Sequence, residues 1–431
     1  MKKPKAHTPA TEMRGRLCRN IETLRPKLME LAAAHGTPLY VYEPERVRQN
    51  LRTFRDGFAH ENVPMSIFYA VKSNSYPGLL RTVAEEAAGL DVSSTRELAL
   101  ALDAGTEQIV YTGPAKRETD FAAIVANADR ITVHLESARE LQLLAGAATQ
   151  AGKTVRCGLR VATSAHKSWA KFGQPLRELR AFYDEAASLP SLRFCGIHCH
   201  LSWNDTPKPY VQALAEIAAY LKATFSASER GSFAFLDIGG GFIPSAWQGD
   251  YPWNKDGLSN PSLEDVLPIV LKDGYQPRFE SMETCRPEEF FREIARSYHE
   301  TIKPLLPAVR LFAEPGRFIC HDAMHMIFTI IDKKTDQMGI VDGGNNMIGW
   351  EKYQYFAYAP LFDLTHFSFE REIPFVTYGS LCTPNDLWGY YLHCSSVEEG
   401  DVIALPWQGA YTYTLAQEFI KPIPPVAHLG R

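Results

Sequence analysis

The stretch IFYAVKSN, residues 67–74, ends an apolar strand-like run on Lys72 and then turns polar. An ammonium placed in a β core is costly unless it is paired, neutralised or able to snorkel to solvent. Similar juxtapositions recur along the chain. LDIGGGF sets Gly239, Gly240 and Gly241 directly after an apolar run, where a bare backbone can approach an anion and offer its N–H groups, or simply make a tight turn. AEPGRF ends another run with Glu314 and Arg317, for which a surface ion pair is the ordinary alternative. GIHCHLS spaces His198 and His200 two apart, which on a strand places both on one face; a core histidine is usually a satisfied hydrogen-bonder, but a strand end lets one of them face a site. A lysine nucleophile, a glycine cradle, a carboxylate and a stackable imidazole at one mouth describe a pyridoxal 5'-phosphate site. The lysine would hold the cofactor's aldehyde covalently, and the carboxylate would keep the pyridine nitrogen protonated.

Such a site needs strand ends that converge. Eight short β-type runs occur at 67–71, 89–93, 109–113, 131–135, 155–161, 192–201, 233–242 and 309–316. Between them lie segments with apolar residues at helical spacing, such as TRELALALDAG (95–105) and YVQALAEIAAYLKATF (210–225). This alternation predicts an α/β fold, a (β/α)8 TIM barrel, whose chemistry sits at the C-terminal strand ends. TPLYVYEPERV (37–47) begins with a strand, and beyond residue 320 the texture becomes β-rich with turn punctuation. A second, mostly β domain built from both chain segments is therefore expected. The boundaries read as 1–44 for the N-terminal contribution, 45–320 for the barrel and 321–431 for the C-terminal β domain. Residues 243–286, rich in Trp, Pro, Asn and Asp, read as a long barrel insertion able to act as a lid.

Composition narrows the classes. The 431 residues can hold a full enzyme core, and 45 Lys and Arg against 50 Asp and Glu give a net charge of -5 with no basic field for nucleic acid. Lys2, Lys3 and Lys5 precede no apolar stretch of the kind a secretion signal needs, and no run approaches a membrane span. The eight cysteines are scattered, so neither a disulfide framework nor a metal site is expected, and the cytoplasm is the default location.

YAVKSN, LDVSSTREL, GLRV, GIHCHLS, LDIGGGF, AEPGRF, GSLCTPND and GAYT, in this order over nearly the whole chain, resemble the fold-type III pyridoxal phosphate decarboxylases, the family of diaminopimelate and ornithine decarboxylases. The resemblance implies that Lys72 is the Schiff-base lysine, that His200 stacks on the cofactor ring and that Glu314 faces the pyridine nitrogen. It implies phosphate contacts from Gly239, Gly240, Gly241, Arg317 and Tyr411, with Ser202 added although the usual HIGS reads HLSW here. Asp91 and Arg160 match residues that support the lysine and the ring. Cys382 matches a cysteine delivered by the neighbouring subunit, which implies a homodimer with shared active sites and a small amino-acid-derived substrate.

The chain departs from this pattern where substrates are distinguished. Members acting on basic amino acids or diaminopimelate usually carry Asp or Glu immediately after the cysteine; this chain has Thr383. Diaminopimelate enzymes carry an arginine after D-x-G, whereas DGGNNMIGWEKYQYF (342–356) has none. A charged distal group left without its partner costs roughly 2–5 kcal/mol. The LCTPxD form, ending on Asp386, resembles the branch that decarboxylates conjugated amino acids, such as a citryl-diamino acid, in siderophore and other secondary metabolite pathways. Thr383, Asp386 and Trp350 are the candidate substrate contacts, and Trp203 and Trp388 could widen the pocket. Diaminopimelate, lysine or ornithine decarboxylation is the alternative. An amino-acid racemase and a non-catalytic pyridoxal phosphate-binding relative are further rivals; a racemase would want a tyrosine where this chain supplies the cysteine motif.

Overall fold

The structure, a computed structural model, describes residues 7–8, 10–166, 171–202, 204–244, 284–349, 360–384 and 386–430. The chain divides into two compact units: residues 47–243 with 285–319, and residues 1–46, 244–284 and 320–431. The insertion read over 243–286 lies almost wholly outside the described residues, as do Trp203 and Trp350.

In the first unit each of the eight apolar runs becomes a parallel strand: β1 (Met65–Ala70), β2 (Gly89–Val92), β3 (Ile109–Tyr111), β4 (Ile131–Leu135), β5 (Val155–Ala162), β6 (Leu192–His198), β7 (Phe235–Asp237) and β8 (Arg310–Ala313). They pair in the order β4-β3-β2-β1-β8-β7-β6-β5, and β4 pairs with β5 to close the barrel. The crossover helices are α1 (Pro77–Glu85), α2 (Thr95–Asp103), α3 (Glu118–Ala126), α4 (Ala138–Gln150), α5 (Leu179–Ala187), α6 (Lys208–Thr224) and α7 (Pro287–Ser297). Several strands are shorter than the runs that announce them. β7 stops at Asp237 because Gly239 and Gly241 follow at φ +70° and +86°, a backbone that cannot continue a ladder.

Glycines inside the strands admit the core. Gly158 of β5 and Gly196 of β6 leave room for the Phe235 ring of β7; a Cβ on Gly196 would lie 2.2 Å from it. Phe235 stacks on Phe312 of β8 with centroids 4.7 Å apart and planes 4° apart. Each such buried side chain stabilises the barrel by about 1.5–3 kcal/mol. Serine caps set the loops above β2 and β4. Ser94 accepts from the Glu97 N–H and Ser137 from the Glu140 N–H, both at 3.2 Å. Glu140 also accepts from the Lys116 ammonium at 3.0 Å, a buried pair that ties the loop after β3 to α4.

The second unit holds an eight-stranded sheet that joins both chain segments. Leu39–Tyr42 pairs antiparallel with Met324–Thr335 and parallel with Val426–His428. The unit is less purely β than its sequence texture suggests, because Ala10–His35 forms a 26-residue helix. Its Leu17, Ile21, Leu24, Leu28 and Leu31 form an apolar stripe buried against sheet residues that include Val41, Ile327 and Phe362. Pro26 inside the helix removes one backbone donor at a cost of about 3 kcal/mol, which two flanking buried leucines at about 1.5–3 kcal/mol each offset. Among the described residues no helix is long and apolar enough to cross a membrane.

Candidate active site

Lys72 does not lie on the strand itself. β1 ends at Ala70, and Lys72 is the middle residue of a single 3-10 turn, Val71–Ser73, that lifts it to the barrel mouth. Its ammonium is 2.7 Å from Asp91 Oδ2, and about a third of its side chain is exposed. Asp91, at 1% exposure, also accepts from the Thr112 hydroxyl through Oδ1. Burial, and next the charge of Glu314, push the Asp91 carboxyl up to about 6, against the opposing pull of Lys72. The lysine is therefore reachable from solvent while its partner is not.

Glu314 follows β8 and is 1% exposed, which removes the surface ion pair from consideration. Its Oε2 is 2.8 Å from His200 Nδ1, and its Oε1 is 3.2 Å from His198 Nε2. Burial alone would raise this carboxyl, yet His198 and then His200 hold it well below the usual carboxylate range. Burial wins at both imidazoles: His198 is pushed down to about 4 and His200 is lowered, each against the pull of Glu314. The two histidines do not share one strand face, since β6 stops at His198 and His200 lies beyond it. Their rings meet edge-on at 6.0 Å.

The glycine run is tightly enclosed. A Cβ on Gly239 would lie 2.7 Å from the His200 Cα, one on Gly240 2.6 Å from the Glu314 carbonyl oxygen, and one on Gly241 2.2 Å from the Leu201 carbonyl oxygen. Two of its three N–H groups lie close to side chains of the site. Gly239 donates to Asp237 Oδ1 at 2.8 Å, and the Gly240 nitrogen lies 3.3 Å from His200 Nδ1, the same ring nitrogen that faces Glu314 Oε2. Nearby, Arg160 on β5 donates to Glu136 Oε1 at 2.7 Å, with its guanidinium 4.4 Å over the Phe172 ring. Ser202 and Arg317 are half-buried, the latter opening the short helix Arg317–Cys320.

The remaining candidates belong to the second unit. Cys382 is exposed, on a bend after Glu372–Tyr378, and Thr383 beside it is half-buried. Tyr411 is half-exposed at φ +58°. Asp386 has another job than the substrate contact expected of it. It is 1% exposed, and its carboxylate accepts the N–H groups of Leu381 at 2.6 Å and Asn345 at 2.7 Å, which fixes the cysteine loop from below. Trp388 is likewise core, 1% exposed and donating to the Gly343 carbonyl at 3.0 Å.

Sequence reasoning passed over His134, Asp237 and Glu136. His134 and Asp237 are ionisable residues inside apolar strand runs, ITVHL and FAFLD, the signal that singled out Lys72. Glu136 is recognisable only once β4 and β5 pair and bring Arg160 to it.

The family described as pyridoxal-dependent decarboxylase, pyridoxal binding domain, matches residues 45–321. The chain is 28% identical over 413 residues to a diaminopimelate decarboxylase of Aquifex aeolicus, covering 91% of this chain and 86% of the relative. It is 30% identical over 416 residues to a diaminopimelate decarboxylase of Pseudomonas fluorescens, covering 91% and 87%. In fold it is similar to the crystal structure of diaminopimelate decarboxylase from Helicobacter pylori complexed with L-lysine, at TM-score 0.75 and 23% identity over 93% of this chain and 94% of that one. The residues present suit pyridoxal phosphate. A lysine held at the mouth can take its aldehyde, and a buried carboxylate kept anionic by its histidines can balance its ring N–H. The chain belongs to the pyridoxal-dependent decarboxylase family and is a fold-type III, pyridoxal phosphate-dependent amino-acid decarboxylase.

Proposed function

We propose that the substrate is a free diamino acid of the diaminopimelate, lysine or ornithine class, which loses its α-carboxylate as CO2 to leave an amine. The observation that carries this reading is the naming of relatives that match across nine-tenths of the chain as diaminopimelate decarboxylases. It favours the free diamino acid over the conjugated substrate that the motifs suggest. Bound here, pyridoxal phosphate supplies a sink for the electron pair left at Cα when CO2 departs. Lys72 would hold the aldehyde covalently, and Asp91, 2.7 Å from the free ammonium, would keep that nitrogen at the barrel mouth whenever the aldehyde is taken by substrate. Glu314 would balance the protonated ring nitrogen, and His200 would pack against the ring. Gly239, Gly240, Gly241, Ser202, Arg317 and Tyr411 bind the phosphate, with the Gly241 N–H best placed of the three glycines because it has no partner among the described residues. Cys382, exposed on its loop, returns a proton to Cα in the site of a partner subunit, so the working form is a cytoplasmic homodimer.

A conjugated diamino acid, such as a citryl derivative from siderophore assembly, is the second reading. Thr383 after the cysteine and the arginine-free segment 342–356 favour it, since neither supplies a counter-charge for a free distal group. CO2 release measured with diaminopimelate, lysine, ornithine and citryl-conjugated diaminopropionate separates the two. Turnover at least tenfold faster with a free diamino acid supports the first reading, and the opposite order replaces it with the second. Racemisation without CO2 release would overturn both.

A further inference from the structure

In a (β/α)8 barrel, alternate strands contribute four side chains to each interior layer, and branched aliphatics dominate. Here the even strands place Asp91 (β2), His134 (β4), His198 (β6) and Glu314 (directly after β8) at the C-terminal end, all at 1% exposure or less. Four ionisable groups thus occupy positions where packing would prefer Val, Ile or Leu. The catalytic reading gives no role of its own to His198 or to His134. The His134 ring lies 4.4 Å from that of His198, inclined by 31°, and stacks on Phe235 at 5.4 Å. Its Nδ1 is 3.9 Å from Glu314 Oε1, the oxygen that His198 Nε2 approaches at 3.2 Å, and its Nε2 is 3.7 Å from Asp237 Oδ2. No ring nitrogen of either histidine makes a geometrically proper hydrogen bond, nor do Asp237 Oδ2 and Glu314 Oε1. Buried polar atoms are seldom left so, and each one costs about 1–3 kcal/mol.

We propose that His134 and His198 are positioning residues for Glu314, each directing one N–H at its Oε1, with the Asp237 carboxyl as the proton-bearing group behind His134. This rests on the reading of Glu314 as the partner of the cofactor's ring nitrogen. The protons balance with neutral imidazoles. Asp237 carries its proton on Oδ2 facing His134 Nε2 at 3.7 Å, His134 its proton on Nδ1 facing Glu314 Oε1 at 3.9 Å, both contacts longer than a hydrogen bond, and His198 its proton on Nε2 facing the same oxygen at 3.2 Å. Glu314 is then the anion of the group and Asp237 stays protonated. The electrostatics agree in direction. Burial and then the charge of Glu314 push Asp237 well above the usual carboxyl range, and burial pushes His134 well below that of a free imidazole. The other charged groups facing the layer are Lys72, Asp91, Lys116, Arg160 and His200, and among them Lys116 and Arg160 further disfavour charge on His134.

The test reads the ring-nitrogen magnetic resonance shift of isotope-labelled pyridoxal phosphate in the holoenzyme as pH is raised. His134→Phe, which keeps an aromatic ring against Phe235, and His198→Phe are expected to lower the pH at which that nitrogen deprotonates by about one unit, a tenfold change. kcat should fall about tenfold or more with KM little moved. His134→Asn and His198→Gln, which restore an N–H near the lost position, should recover most of the shift. An unchanged nitrogen shift in the Phe variants, at normal cofactor content, overturns the proposal. Should those variants fail to fold, the unsubstituted protein decides: His198 must carry its proton on Nε2 at neutral pH, and an Nδ1–H tautomer overturns the proposal. One tightly held metal ion per chain, lost on substituting His134, would also overturn it. Glu314→Gln separates the premise: if that variant leaves the nitrogen shift unchanged, the reading of Glu314 fails, whereas a response to Glu314→Gln alone fails the positioning role only.

Discussion

At the scale of single residues, the site separates a reachable base from an unreachable acid. Lys72 is partly exposed and Asp91 is not, so the lysine can exchange its partner for a ligand while the carboxylate waits in place. Borohydride treatment of the holoenzyme should fix one cofactor label per chain on Lys72, read by peptide mass; label on Lys171 instead would remove Lys72 from the site. Glu314 is held anionic by His198 and His200, and a neutral amide there can accept but not balance a ring N–H proton. Glu314→Gln is therefore expected to keep the cofactor yet lose turnover by on the order of 10²-fold or more, the usual effect of removing one preorganised electrostatic contact. Turnover near that of the unsubstituted enzyme would take Glu314 out of the chemistry.

At the scale of elements, two buried aspartates in the second unit hold loops by their backbone. Asp386 gathers the N–H groups of Leu381 and Asn345 beneath the loop that carries Cys382. Asp386→Ala leaves those donors unmet and should cost about 2–5 kcal/mol in urea unfolding, taking activity with it although the residue is buried away from solvent. Asp363, at the end of the strand Leu361–Asp363, accepts from the Thr365 and His366 N–H groups, and burial followed by the nearby Asp401 pushes its carboxyl up to about 7. His366, against Asp401 at 3.0 Å, is raised as well. Both groups bind their proton more tightly in the folded chain. Their contribution is complete below the unfolded values and is lost as pH rises through the folded ones, near 7 for Asp363. Melting temperature should therefore fall by a few degrees between mildly acid and mildly alkaline pH. Asp363→Asn should flatten that slope; an undiminished slope would assign it to other groups.

At the scale of the whole molecule, the assembly proposal makes a numerical prediction. If Cys382 serves a partner's site, mixing inactive Lys72→Ala with inactive Cys382→Ala should restore activity, because a mixed dimer holds one site with both residues intact. Random reassortment gives half mixed dimers with one good site of two, so recovery should approach about a quarter of the unsubstituted level. Confirmed subunit exchange without recovery would place Cys382 in its own subunit's chemistry.

The barrel and its mouth were legible in the chain because a parallel strand buried on both faces must be apolar, and a charge inside such a run stands out against its neighbours. Lys72 and Glu314 were found in that way, and by the same signal His134 and Asp237 stood in plain view in ITVHL and FAFLD. The helix Ala10–His35 also carried its stripe of leucines, but Pro26 speaks against a helix until the sheet is there to cover it, and local propensity cannot weigh that burial. What the chain order could not decide was partnership. Glu136 and Arg160 lie 24 residues apart and meet only because β4 and β5 close the barrel. The Gly239 N–H looks free in LDIGGGF and is engaged by Asp237 in the fold. Asp386 and Trp388 read as pocket residues from their motif and are held inside by backbone groups. Residue type sets what a group is able to do, while burial and pairing, which depend on contacts distant in sequence, decide which of those things it does.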